Sequence, residues 1–165
     1  MDRTTSADRI TDLEFAQRFE RGEIRNEDFH HREHLRVAWA FLQQSETTEE
    51  ACDRMRNAIR TFALRAGHAR KYHETLTVFW VRLLAEVRKH VDDATELDAI
   101  LPAHRFLLDK DVPLTWYTRA RLYSDDARLI WTAPDLRTLG SHAPHAHSGD
   151  SSGDAQDRPL SGDSS

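Results

Sequence analysis

The stretch KYHETLTVFWVRLLAEV, residues 71–87, decides how this chain folds. From Leu76 onward it is among the most apolar runs in the sequence. Val78, Phe79, Trp80, Val81, Leu83 and Leu84 leave little polar face, so the spacing predicts a largely buried helix ending near Val91. The run nevertheless begins Tyr-His-Glu-Thr. A buried helix has to satisfy every polar side chain it carries, so a His-Glu pair at its mouth requires partners from elsewhere in the chain.

Three helical patterns precede it. Thr11 caps a short helix through Leu13, Ala16 and Phe19 that Gly22 ends. Asn26 or Asp28 caps a second, with Leu35, Ala38, Phe41 and Leu42 on one stripe from His31. Thr47 with Glu50 reads as a capping box, and Ala51, Met55, Ala58, Ile59, Phe62 and Ala63 carry a third helix to about Gly67. Beyond Asp92 the pattern shortens. Leu97, Ile100 and Leu101 precede Pro102, Pro113 opens a short helix through Leu122, and Ser124 caps Ala127 to Trp131. No segment alternates with period two, and no hairpin dipeptide occurs. The expectation is all-α: a compact helical bundle over residues 8–139 with short C-terminal helices. Residues 140–165 are rich in His, Ser, Gly and Asp and offer almost nothing to bury, so they read as a disordered tail.

Composition narrows the function classes. The 165-residue chain has a formal net charge of -5 with both signs interspersed, which gives no basic footprint for nucleic acid. No apolar run is long enough for a membrane span, and the start lacks an apolar signal core. The single cysteine, Cys52, rules out an internal disulfide or a cysteine metal cluster. A cytoplasmic protein with a small-molecule substrate or ligand is expected, with no nucleic-acid or membrane partner.

Ten histidines are many for this length. His142, His145 and His147 lie in the tail and read as part of a solvated linker. His31 and His34 are three apart on the apolar stripe of the second helix, with His30 as a rival partner for His34. His73 shares its stripe with Thr77, Trp80, Leu84 and Val87, and Glu74 points about 100° to the side. Short loops would run helices two, three and four up, down and up, so the second and fourth begin at the same end. His31, His34, His73 and Glu74 then form a candidate site for a transition-metal ion: iron, copper, zinc, nickel or manganese. A buried polar network without metal and solvent-facing histidines are the other two readings. Glu74 is a candidate ligand, an acceptor that orients an imidazole, or a proton-transfer group. Tyr72 and Thr77 are candidate polar liners, and Arg128 is either a salt-bridge partner or a substrate contact.

At these residues the chain resembles a family of uncharacterised bacterial proteins common in actinobacteria. The resemblance rests on His31-Arg-Glu-His34-Leu35, on Tyr72-His-Glu-Thr-Leu-Thr77 followed by Phe79-Trp80, and on Tyr123-Ser124, Ala127-Arg128 and Pro134-Asp-Leu136. It spans roughly residues 29–139, and Leu122 stands where a second tyrosine is expected. It implies that the histidine set is shared, and it names no reaction. The chemistry of the residues points first to a small metal-dependent enzyme, redox or hydrolytic, acting on a small molecule in specialised metabolism. A non-catalytic metal-binding or metal-sensing protein and a metal-free helical small-molecule-binding module are the alternatives.

Overall fold

In the computed structural model of the protein, residues 10–140 are described, so residues 8–9 of the expected domain and all of the expected 140–165 tail but Gly140 lie outside them. Four helices carry the bulk of the chain: α1 (Asp12–Glu20), α2 (His31–Gln44), α3 (Thr48–Arg65) and α4 (Glu74–Arg88). Three short ones follow, α5 (Leu97–Ile100), α6 (Arg119–Leu122) and α7 (Asp125–Leu129), with 3₁₀ turns before α2 and α4 and two in succession before α6. The chain is all-helical, and no strand occurs among the described residues.

The predicted caps explain most boundaries. Thr11 Oγ1 accepts from Glu14 N at 3.1 Å, Thr47 Oγ1 from Glu50 N at 3.1 Å, and Ser124 Oγ from Ala127 N at 3.1 Å. The second half of the box expected at Thr47 differs: the Glu50 carboxylate accepts from Glu46 N rather than from the capping residue. α2 is capped by His30, not by Asn26 or Asp28, with Glu33 returning a bond to the His30 amide at 3.0 Å. Gly22 ends α1 with φ +76°, a conformation that a side chain resists. The single helix expected from Pro113 to Leu122 is broken in two, a 3₁₀ turn over Val112–Thr115 and then α6. The break has a cause: Asp135 accepts from both the amide and the hydroxyl of Thr118, which turns Thr118 into the cap of α6.

Cross-links between helices fix the topology. Asp12 meets Arg36 while Phe19 stacks on Phe29, so α1 and α2 are antiparallel. Arg54 lies over Phe41 while Phe62 meets Phe29, so α2 and α3 are antiparallel. Arg82 bonds Glu49 and Arg56 bonds Glu74, which reverses the chain again. His31 packs on Trp80 and Arg88 reaches the Leu42 carbonyl, so α2 and α4 run in the same direction. This is the up-down-up arrangement expected from short connections. The core between these helices holds Phe15, Leu35, Trp39, Phe41, Phe79 and Leu84, and the short C-terminal elements close it with Trp116, Tyr117 and Leu122.

One ionic pair is fully inside. Arg36 Nε donates to Asp12 Oδ1 at 2.7 Å, and Asp12 Oδ2 accepts from Leu97 N at 2.6 Å. Arg36 also donates to the Ile10 carbonyl at 2.8 Å, so the pair ties α1, α2 and the start of α5. Removing one member of a buried pair leaves the other charged and unpaired. Asp12→Ala should therefore cost about 3–5 kcal/mol in denaturant unfolding. The double change to Asp12→Ala with Arg36→Met should recover part of that loss. A single-variant loss below about 1 kcal/mol would show that the pair does not hold these elements.

Candidate functional site

The Tyr-His-Glu-Thr quartet sits where the C-terminal segment crosses the start of α4, and all four side chains are engaged. His73 is the N-cap of α4. Its Nδ1 accepts from Leu76 N at 3.2 Å, and its Nε2 donates to the Leu122 carbonyl at 2.9 Å. A neutral imidazole has one donor and one acceptor, and here both are used. Burial pushes the His73 pKa down, opposed by the Leu122 bond and helped by nearby Arg128. The Glu74 carboxylate is buried, with Oε1 accepting from Arg56 and Oε2 from Arg60 Nη2 at 3.1 Å and Tyr72 Oη at 2.5 Å. Thr75 donates to the Ile130 carbonyl at 3.0 Å and accepts from Thr132 N at 3.1 Å.

The other predicted residues join the same frame. Thr77 Oγ1 donates to the His73 carbonyl at 2.9 Å. Arg128 makes no ion pair among the described residues and donates to the Arg70 carbonyl at 2.9 Å. Burial and the Glu74 contact push the Tyr72 phenol well above its ordinary value, so it stays a proton donor to the carboxylate. Residues 70–77 therefore meet the segment from Leu122 to Thr132, which carries the quoted Tyr123-Ser124 and Ala127-Arg128 elements. Asp135 and Leu136 secure that second side through Thr118 and the Trp116 carbonyl.

His31 and His34 lie beside each other but not beside His73. His31 Nε2 donates to the Leu107 carbonyl at 2.8 Å, and its ring stands edge-on to Trp80 with centroids 4.5 Å apart. His34 packs on Phe29 at 4.2 Å. Trp80 lies seven residues beyond His73, a rise of about 10 Å along α4. The two helices are parallel as expected, yet staggered by about two turns, so their first turns are not level. Among the described residues no group of three or more His, Cys, Asp or Glu is placed to hold a metal ion. The donor set expected for a metal is instead distributed through a polar network: His73 on backbone, Glu74 on two guanidiniums and a phenol, His31 on a carbonyl.

Sequence reasoning passed over a neighbouring pair of histidines whose imidazoles make no hydrogen bond among the described residues. His90 and His104 line an open groove of about 640 Å³ between the end of α4 and α5, together with Lys89, Asp92 and Thr95. Lys89 is committed to Glu86 at 2.7 Å. Burial, and then the proximity of His90, lower the His104 pKa, which keeps its ring neutral and able both to donate and to accept. Neither residue belongs to an apolar stripe, so periodicity gave no signal for them. Their shared trait, a position just past a helix end, was the one available hint.

Compared with known proteins, the chain matches no family model, no curated protein and no solved structure.

Two outcomes test this account of the network. His73→Ala removes a cap and a tertiary bond and should cost about 2–4 kcal/mol. His73→Asn restores a capping acceptor but cannot span to Leu122, so it should recover only part. Equal stability of the wild type and the alanine variant in chemical denaturation would contradict the clasp. The second outcome concerns pH. Burial, with His31 close by, pushes the His34 pKa down from 6.5 to about 4. Between those values the unfolded chain binds the proton and the folded chain does not. The stability this contributes is present above pH 6.5 and is lost as pH falls toward 4. The lowered His31 and His73 values act with the same sign. His34→Gln should flatten the melting temperature against pH in that window, and an unchanged slope would remove His34 from the account.

Proposed function

We propose that this chain is a metal-free helical module that binds a small molecule in the groove between the end of α4 and α5. The observation that carries the reading is the division of the imidazoles. His31 and His73 are hydrogen-bonded into the frame and His34 is packed on Phe29, whereas the His90 and His104 imidazoles have no hydrogen bond among the described residues and line a concave space. A volume of about 640 Å³ falls in the range of small-molecule sites. Unpaired polar groups in such a space discriminate between ligands, because a ligand that fails to bond them leaves them desolvated. Neutral imidazoles suit a ligand with its own donors and acceptors, such as a hydroxyl, amide or heterocyclic nitrogen. On this reading the motif shared with the actinobacterial-type family is a shared fastening, and the ligand groove lies elsewhere. The interspersed surface charge and lone buried Cys52 support a cytoplasmic setting.

Two measurements test it together. Untagged protein produced with mixed iron, copper, zinc, nickel and manganese should contain far less than one metal ion per chain. A thermal-shift screen of polar heterocycles should find ligands that stabilise the wild type. His90→Ala and His104→Ala should weaken them roughly tenfold, the equivalent of about 1.4 kcal/mol. One metal ion per chain that His73→Ala removes would return the protein to the metalloenzyme reading.

A further inference from the structure

A second concave surface lies between α1 and α3, with a different chemistry. Its floor is aromatic: Phe19 and Phe62 stand with ring centroids 5.0 Å apart, and Ala58 fills in beside them. Its rim is a polar line along α3, Asn57, Thr61 and Arg65, spaced four residues apart and so stacked on one face. None of the three side chains makes a hydrogen bond or ion pair among the described residues. Their donors all face one groove of about 300 Å³.

Charge decides what such a groove accepts. Glu20 also lines it, but Arg54 holds that carboxylate with two bonds, Nε at 2.9 Å and Nη2 at 2.8 Å. Arg54 is itself fixed over the Phe41 ring at 4.3 Å and bonded to Gln44. Glu20 and Arg54 cancel, which leaves Arg65 as the uncompensated cation of the groove. Arg65 is also placed rather than loose. Its guanidinium lies against Gly22, where a Cβ would come within 2.5 Å of Nη1 and 3.3 Å of Cζ. The glycine that ends α1 thus makes the seat for the arginine that ends α3. A planar guanidinium presents two parallel donors, and its best small partner is a carboxylate.

We infer that the α1–α3 groove is a binding site for a small monocarboxylate with a flat apolar body. The carboxylate pairs with Arg65, Thr61 and Asn57 supply further hydrogen bonds, and the body lies on Phe19 and Phe62. A groove of about 300 Å³ with one uncompensated cation matches a single small acid. The site is separate from the α4–α5 groove and does not depend on it.

Benzoate is a suitable probe and benzamide its neutral counterpart, followed by amide shifts in ¹H–¹⁵N spectra of the full chain. Benzoate should give saturable shifts at Gly22, Asn57, Thr61 and Arg65, weakened by added salt. Arg65→Gln should reduce affinity roughly tenfold or more, and Arg65→Lys should fall between, since it keeps the charge and loses the fork. Arg65 is exposed and unbonded, so both variants should keep the wild-type melting temperature. His104→Ala should leave benzoate binding unchanged, which separates this site from the other groove. Equal response to benzoate and benzamide, wild-type affinity in Arg65→Gln, or the absence of saturable shifts would each overturn the proposal.

Discussion

The imidazole of His73 has to donate and accept at once, and the arrangement of the C-terminal third of the protein follows from how it does so. As the cap of α4 it gives its lone pair to the Leu76 amide, which leaves its N–H facing inward. That donor takes the Leu122 carbonyl and so draws α6 onto the mouth of the most apolar helix. Thr75, two residues on, bonds the chain again at Ile130 and Thr132. Each of these segments is too short to be stable alone, since helices of four or five residues do not survive nucleation costs in water. They persist because polar groups at the start of α4 would otherwise be buried without partners.

Glu74 performs the same task toward α3. A buried carboxylate without compensation would cost several kcal/mol, so two arginines and a phenol converge on it. Asp12 and Arg36 repeat the device at the other side of the bundle, joining α1, α2 and α5. The helical core is thus pinned at two ionic points, one between α3 and α4 and one joining α1, α2 and α5. What remains open is the surface between pinned elements. The two grooves with unbonded donors lie there, away from the Glu74 and Asp12 ionic points.

Much of the fold was legible before any coordinates. Thr11, Thr47 and Ser124 announced helix starts because a hydroxyl two or three residues ahead of free amides has one evident use. The stripes of α2, α3 and α4 announced the core because only one helical face can bury them. The parallel course of α2 and α4 followed from short connections. The break between Val112–Thr115 and α6 was not legible, because Asp135 imposes it from 17 residues away. His30 as the cap of α2 was missed for a related reason: imidazole is an uncommon capping acceptor, and Asn26 and Asp28 stood nearby. Of the candidate site, the need of His73 and Glu74 for partners was legible, and the identity of those partners was not.

By itself the sequence determined that the chain is helical, where its long helices begin, and that Tyr72, His73, Glu74 and Thr75 need buried partners. Those properties are local: they depend on period, capping chemistry and the cost of desolvating a polar group. Only the tertiary structure decided who the partners are. An apolar stripe specifies which face of a helix is buried but not how far it slides along its neighbour. Here the packing of His31 on Trp80 and of Arg88 on Leu42 sets a stagger of about two turns between α2 and α4. That sliding register, invisible to periodicity, parts His31 and His34 from His73. It leaves His31 on the Leu107 carbonyl, His34 on the Phe29 ring and His73 on the Leu122 carbonyl, three separate seats in the frame.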